Sequence, residues 1–247
     1  MSRRTPETNT TAAAPGDAGP PGSGSTLVDD LAARIRDMIM GGEIPIGGQL
    51  RQAELATTFG VSRTPIREAI RQLQNGGLIA VHPHRGAVVR VPAPWEVREA
   101  YEVRAELEAL AARRAVARIT REQLDALEHD NREMYEQSAA QGEGRTPVHR
   151  AANDAFHTLI AGVSGNARLT RSIEEINGAF PRNVSSQLIV DDSRHRDENF
   201  AEHERIVAAL RTGDADAAAA EMRSHVIAAG DALARWYEQR SSTVFVG

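Results

Sequence analysis

Cysteine is absent from the 247-residue chain, and so is lysine: all 29 basic residues are arginine. The first absence excludes disulfides, thiolate nucleophiles and cysteine-ligated zinc or iron-sulfur sites, so any metal must be held by imidazole and oxygen donors. The second removes Schiff-base chemistry and the phosphate-loop lysine. No apolar run approaches the ~18 residues of a membrane span, and residues 1–25 lack the apolar centre of a signal peptide. A soluble protein of a reducing cytoplasm, with no membrane partner, is expected. Aromatic residues make up only 4% of the chain. With alanine abundant, that composition suits close helix packing better than a sandwich or an open sheet.

The charge that is present is divided along the chain. The formal net charge of -5 argues against a nucleic-acid partner only until it is counted by segment. Residues 27–92 carry eight arginines against six acids, whereas residues 93–247 carry nineteen against twenty-six. Between positions 62 and 90, Arg63, Arg67, Arg71, Arg85 and Arg90 face Glu68 alone. That basic patch suits a phosphate backbone, although a solvated arginine-rich face has the same composition.

The length fits two domains, each able to bury a core. Residues 1–25, rich in Pro, Gly, Thr and Ala, have too few large apolar side chains to offset ordering and are expected to be disordered. In residues 26–92, Thr26 and Asp29 read as a capping-box start, and Leu27, Leu31, Ile35, Met38 and Ile39 recur at helical spacing up to Gly41-Gly42. After the turn-rich connector GEIPIGGQL come a short helix over 52–59, a turn at Gly60-Val61 and a helix from Arg63 to about Gln74. Ser62 stands at its N-cap, and Pro65 is tolerated in a first turn whose amides have no helical acceptor. LIAVH and AVVRV then read as two strands joined by HPHRG. Helix, helix, turn, helix and hairpin is the order of a winged helix-turn-helix. In the third helix Ile66, Ala69, Ile70 and Leu73 share one side, while Arg63, Thr64, Arg67 and Arg71 fan over the other, as a helix entering a DNA groove requires.

Pro92 and Pro94 mark a linker, and residues 93–240 read as an all-α antiparallel bundle of six or seven helices, with a capping box at Thr120 and Gln123. GEGRTP at 142–147 reads as a loop, Ser164-Gly165-Asn166 as a break, and Gly213-Asp214 as a helix separator. Three histidines fall on apolar faces of this region: His157, His203 and His225. Asn153 precedes His157 by one helical turn on the same face. Singly, each is more simply a satisfied core histidine; three imidazoles and an amide oxygen in one bundle also make a divalent metal site with positions left for water or ligand.

The words Gly60-Val61-Ser62-Arg63-Thr64-Pro65-Ile66-Arg67-Glu68-Ala69-Ile70, Leu73, Gly77-Leu78 and Gly86, preceded by Gly42, Gly47, Leu50 and Leu55-Ala56, resemble the GntR family of bacterial repressors. The resemblance implies that Arg63, Thr64 and Arg67 contact operator DNA, with Arg71 on the same face, and that His84, Arg85 and Gly86 form a wing tip. Gln52 replaces the family's acid and Ile46 its proline. The C-terminal region resembles the FCD ligand-binding domain of the FadR subfamily, through Arg104-Ala-Glu-Leu107-Glu108, Asn153-Asp-Ala-Phe156-His157, Ser164-Gly165-Asn166, His203-Glu-Arg-Ile206 and Met222-Arg-Ser-His225. It implies a homodimeric repressor, not an enzyme. It further implies that a divalent metal of zinc or nickel type is held by Asn153, His157, His203 and His225, and that a carboxylate effector binds near Arg104. The family usually has Asp where Asn153 stands. Rival readings are a metal-free sensor of an acyl-CoA-type ligand, an architectural DNA-binding dimer without ligand, and a metal-dependent hydrolase using the same three histidines with His129-Asp130 as a catalytic pair. That dipeptide lies in the polar run LEHDNREMYE and reads better as a solvated face.

Overall fold

The computed structural model describes residues 23–140, 147–180, 184, 188–189 and 192–244. The stretch 1–22 and most of the 142–147 loop lie outside the described residues. Among the described residues two large apolar cores stand out, one gathering residues between Leu31 and Val89 and the other between Val97 and Tyr237, with a small third cluster of Ala111, Ala161, Leu169 and Ile173 beside the latter.

The first core is built by α1 (Ser23–Gly41), α2 (Gln52–Phe59), α3 (Arg63–Asn75) and a two-stranded antiparallel hairpin, β1 (Ile79–His82) and β2 (Gly86–Val89). Ile66, Ala69, Ile70 and Leu73 form the buried face of α3, meeting Leu31, Ile35 and Ile39 of α1. Two expected caps differ. The first helix begins at Ser23, before Thr26, and Asp29 Oδ1 accepts from Gln72 Nε2 at 2.8 Å. Asp29 thus ties α1 to α3 instead of capping its own helix. Ser62 occupies the N-cap position of α3 in extended conformation, but its hydroxyl makes no capping hydrogen bond.

The hairpin pairs Ile79 with Val89 and His82 with Gly86. The connector before α2 is more ordered than its turn-rich composition suggests, for Leu50 N donates to Ala87 O at 2.8 Å and Val89 N to Gly48 O at 2.9 Å. It runs beside β2 as a short third rung. Gly86 has φ +71°, a conformation that a side chain would strain, and this lets the tip turn back into β2.

The second core is wholly helical among the described residues: α4 (Pro94–Ala115), α5 (Arg121–Ala140), α6 (Pro147–Val163), α7 (Ala167–Asn177), α8 (Ser193–Thr212) and α9 (Ala215–Val244). Thr120 and Gln123 form the expected reciprocal cap of α5, at 3.0 and 3.3 Å. Asn166 Oδ1 caps α7, and Gly213 ends α8 at φ +77°. Helix α4 runs against α9 so closely that a Cβ on Gly230 would lie 2.5 Å from Tyr101 Cβ. Among the described residues no helix is long and apolar enough to cross a membrane.

The cores meet at the linker. Ile46, which replaces the proline of the resembled motif, packs against both of them. Arg90 Nε donates to Gly77 O, just past α3, while its Nη1 contacts both oxygens of Glu96 in the first turn of α4, at 2.7 and 2.8 Å. Arg90 therefore belongs to the junction and leaves the basic patch counted from sequence.

Candidate functional site

Arg63, Thr64, Arg67 and Arg71 are all exposed on α3, opposite its buried stripe. Arg71 is held by Glu68 at 3.0 Å in an exposed pair, weak enough to exchange for a phosphate. Arg63 and Arg67 make no ion pair among the described residues. His84, Arg85 and Gly86 are exposed at the turn of the hairpin, where His84 has φ +67°. Gln49 Nε2 donates to Arg85 O at 2.6 Å and pins this tip to the connector. Sequence reasoning missed Gln49, because its role depends on a contact 36 residues away.

In the bundle, α6, α8 and α9 deliver His157, His203 and His225 to one buried point. His225 Nε2 lies 3.2 Å from His157 Nε2 and 3.3 Å from His203 Nε2. The Nδ1 atoms point away, each onto an oxygen. His157 Nδ1 meets Glu108 Oε2 at 2.5 Å, His203 Nδ1 meets Asn131 Oδ1 at 3.0 Å, and His225 Nδ1 meets Glu202 Oε2 at 2.7 Å. Asn131 donates its Nδ2 to Phe200 O, which leaves Oδ1 as an acceptor toward His203. Phe156 stacks on His203 with centroids 4.0 Å apart and fixes the ring plane.

These partners decide the tautomers. Burial would raise the Glu108 carboxyl, but the Arg104 guanidinium, 2.5 Å away, and the His157 ring outweigh it and hold it well below the usual carboxylate range. An ionised Glu108 can only accept, so His157 Nδ1 carries the proton; Asn131 and Glu202 dictate the same for the other two rings. Burial, with the neighbouring rings, pushes His203 well below its ordinary value. Burial also lowers His225, against the opposing pull of Glu202. The Nε2 atoms therefore turn toward one another in a buried interior, an arrangement that a shared cation would relieve. Nitrogens at about 2.0–2.1 Å from a metal are separated by roughly 2.9 Å in octahedral and 3.4 Å in tetrahedral geometry, which brackets the observed spacings.

Asn153 Oδ1, one turn before His157, is buried without a hydrogen-bond partner among the described residues. An acceptor oxygen with no donor, one turn from His157, fits a metal ligand. Arg104 is buried, donates Nε to Glu108 and lies over the Tyr101 ring at 4.9 Å. Glu108, Asn131 and Glu202 carried no role in the sequence reading. Glu108 sits four residues after Arg104, a spacing that signals a helical ion pair; Glu202 neighbours His203 in sequence yet serves His225, which only the tertiary fold shows. His129, Asp130 and Glu133 form a second cluster on the solvated face of α5, with His129 and Glu133 3.8 Å apart and both exposed.

Comparison with known proteins agrees with this architecture. Residues 99–228 match the FCD domain, and residues 27–89 match the bacterial regulatory proteins of the gntR family. The HTH-type transcriptional regulator YdhC of Bacillus subtilis (strain 168) is 30% identical over 79% of this chain and 84% of its own length. The HTH-type transcriptional repressor RspR of Escherichia coli (strain K12) is 28% identical over 73% of this chain and 77% of its own. The solved structure of E. coli McbR/YncC has the same fold, with a TM-score of 0.62 and 20% identity over 89% of this chain and 97% of that one. The chain thus belongs to the GntR family of bacterial transcriptional regulators, a DNA-binding regulator with an FCD domain and not an enzyme.

Proposed function

We propose that the protein is a repressor released by a small carboxylate effector, and that His157, His203, His225 and Asn153 hold a divalent ion of zinc or nickel type. The observation that carries this reading is the convergence of three Nε2 atoms whose Nδ1 atoms are each tied to an oxygen. Outer partners of this kind orient imidazoles for metal and raise their basicity. A bound ion supplies positive charge onto which a carboxylate can dock, and Arg104 adds charge nearby.

Helix α4 gives that event a route to DNA. It carries Glu108 against His157 and, three turns earlier, Glu96 against Arg90, whose Nε holds the carbonyl that follows α3. A shift of α4 therefore reaches the recognition helix through one guanidinium, and an effector that binds one placement better shifts the population toward it. Arg63, Thr64, Arg67 and Arg71 read the major groove, and His84, Arg85 and Gly86 contact the minor groove or backbone. One such helix covers a half-site, so the working unit is a homodimer. Val103 and Leu110, exposed two turns apart on α4, are apolar surface suited to a second copy.

Metal analysis of the purified protein, with His157→Ala and His225→Ala, tests the centre: one ion per chain is expected, lost in both variants. Unchanged metal content in the variants returns the histidines to a core role. Sedimentation tests the assembly, and a monomer at micromolar concentration with operator present would exclude the two-fold mode.

A further inference from the structure

Helix α8 repeats, one turn before its own histidine, the arrangement that α6 shows at Asn153. Asn199 lies four residues before His203, is only 5% exposed, and its Oδ1 is buried with no hydrogen-bond partner among the described residues. Three residues earlier on the same face, Arg196 has a buried Nε that is also unpartnered, although its Nη1 reaches Ser138 O at 3.5 Å and its guanidinium lies 5.9 Å from the centre of the Tyr135 ring. His203, Asn199 and Arg196 thus form a row of ligating nitrogen, bare acceptor and bare donor, with steps of about 6 and 4.5 Å along the helix. A buried amide oxygen and a buried guanidinium nitrogen are costly to leave unpaired, and neither can satisfy the other while both stay bare.

We infer that Asn199 and Arg196 are effector-binding residues, and that the effector is a hydroxylated organic acid. Its acid group engages the histidine centre, its hydroxyl donates to Asn199 Oδ1, and a second anionic group, where present, accepts from Arg196. A carboxylate has no hydrogen to donate, so the bare oxygen of Asn199 selects for a ligand that carries an O–H as well as charge. The inference rests on the metal-and-effector reading for the acid group, but the hydroxyl contact belongs to α8 alone. A site that accepts from a hydroxyl also rejects the analogue lacking it, because its own acceptor is then left unpaired.

The test uses the full-length, zinc-loaded protein and acid pairs differing by one hydroxyl: lactate and propionate, malate and succinate, citrate and tricarballylate. In calorimetry the hydroxylated member of at least one pair should bind about tenfold or more tightly. Asn199→Ala should bring that ratio close to one with zinc stoichiometry retained, while Asn199→Ser, which keeps an acceptor, should preserve much of it. Arg196→Ala should weaken both members of a dicarboxylate pair alike. A crystal structure of the wild-type complex should place the ligand hydroxyl within hydrogen-bond distance of Asn199 Oδ1, a check independent of whether any variant folds. No discrimination in any pair, or a ratio that survives Asn199→Ala, overturns the inference. So does a loss of zinc affinity in Asn199→Ala without change in the ratio, which would make Asn199 a metal ligand. Discrimination in a protein that binds no zinc would support the hydroxyl contact and sink the metal reading alone.

Discussion

At Asn153 a neutral carboxamide stands where the resembled motif usually has a carboxylate, so the proposed donor set of three imidazoles and an amide would leave the charge of a divalent ion uncancelled. The carboxylates that do approach, Glu108 and Glu202, act from behind the rings. An anionic effector then contributes more than it would beside an Asp. Positive coupling between metal and hydroxy acid of about 1 to 3 kcal/mol is expected. Asn153→Asp should tighten the metal and weaken that coupling, measured by titrating metal with and without the acid in both proteins; equal coupling would remove Asn153 from the site. On the DNA side, Arg63 is exposed at the first turn of α3 and unpaired among the described residues. Arg63→Ala should cost about 1 to 3 kcal/mol on the specific operator if the fork reaches a guanine. Equal losses on operator and random DNA would assign Arg63 to the backbone.

Among the elements, α3 could be read from sequence and α4 could not. The stripe Ile66, Ala69, Ile70 and Leu73 alternates sharply with arginine, and all four are buried. Helix α4 buries Tyr101, Arg104, Ala105, Glu108 and Ala112 together, a face too mixed for its orientation to follow from hydrophobicity. Its seat is decided by α9, where Gly230 lets Tyr101 approach. Gly230→Ala gains helix propensity of about 1 kcal/mol, but the added methyl meets a side-chain root that cannot swing aside. We expect a net loss of about 1 to 2 kcal/mol in urea denaturation, together with weakened metal retention as Glu108 shifts with α4. An unchanged or raised midpoint would mean that the α4–α9 contact yields freely.

For the whole molecule, the buried histidines make the metal-free protein sensitive to acid. Burial holds His203 and His225 below the ordinary imidazole range in the folded chain, so folding favours their neutral forms. Their contribution is complete above about pH 6.5 and declines as pH falls below it, because the unfolded chain takes up the protons first. Denaturation midpoints of metal-free protein should therefore fall between pH 7 and 5.5, and His203→Gln should flatten the dependence; a level profile would contradict the buried, neutral assignment. Metal should suppress the effect while bound and be released over the same range, since protons compete for the Nε2 atoms.

Periodicity, caps and turn residues are local, and they were legible: the helix-turn-helix with its hairpin, the cap at Thr120, the breaks at Asn166 and Gly213, and the inward faces of His157, His203 and His225. A local pattern can say that a side chain points inward but not what it meets there. That His225 leans on Glu202, that Asn131 orients His203, that Arg90 grips Glu96 instead of facing DNA, and that Oδ1 of Asn153 and of Asn199 meets no donor among the described residues are all decided by helices brought together from distant parts of the chain. Hydrogen bonds reach about 3 Å, and no spacing within one helix reports what another helix places at that distance.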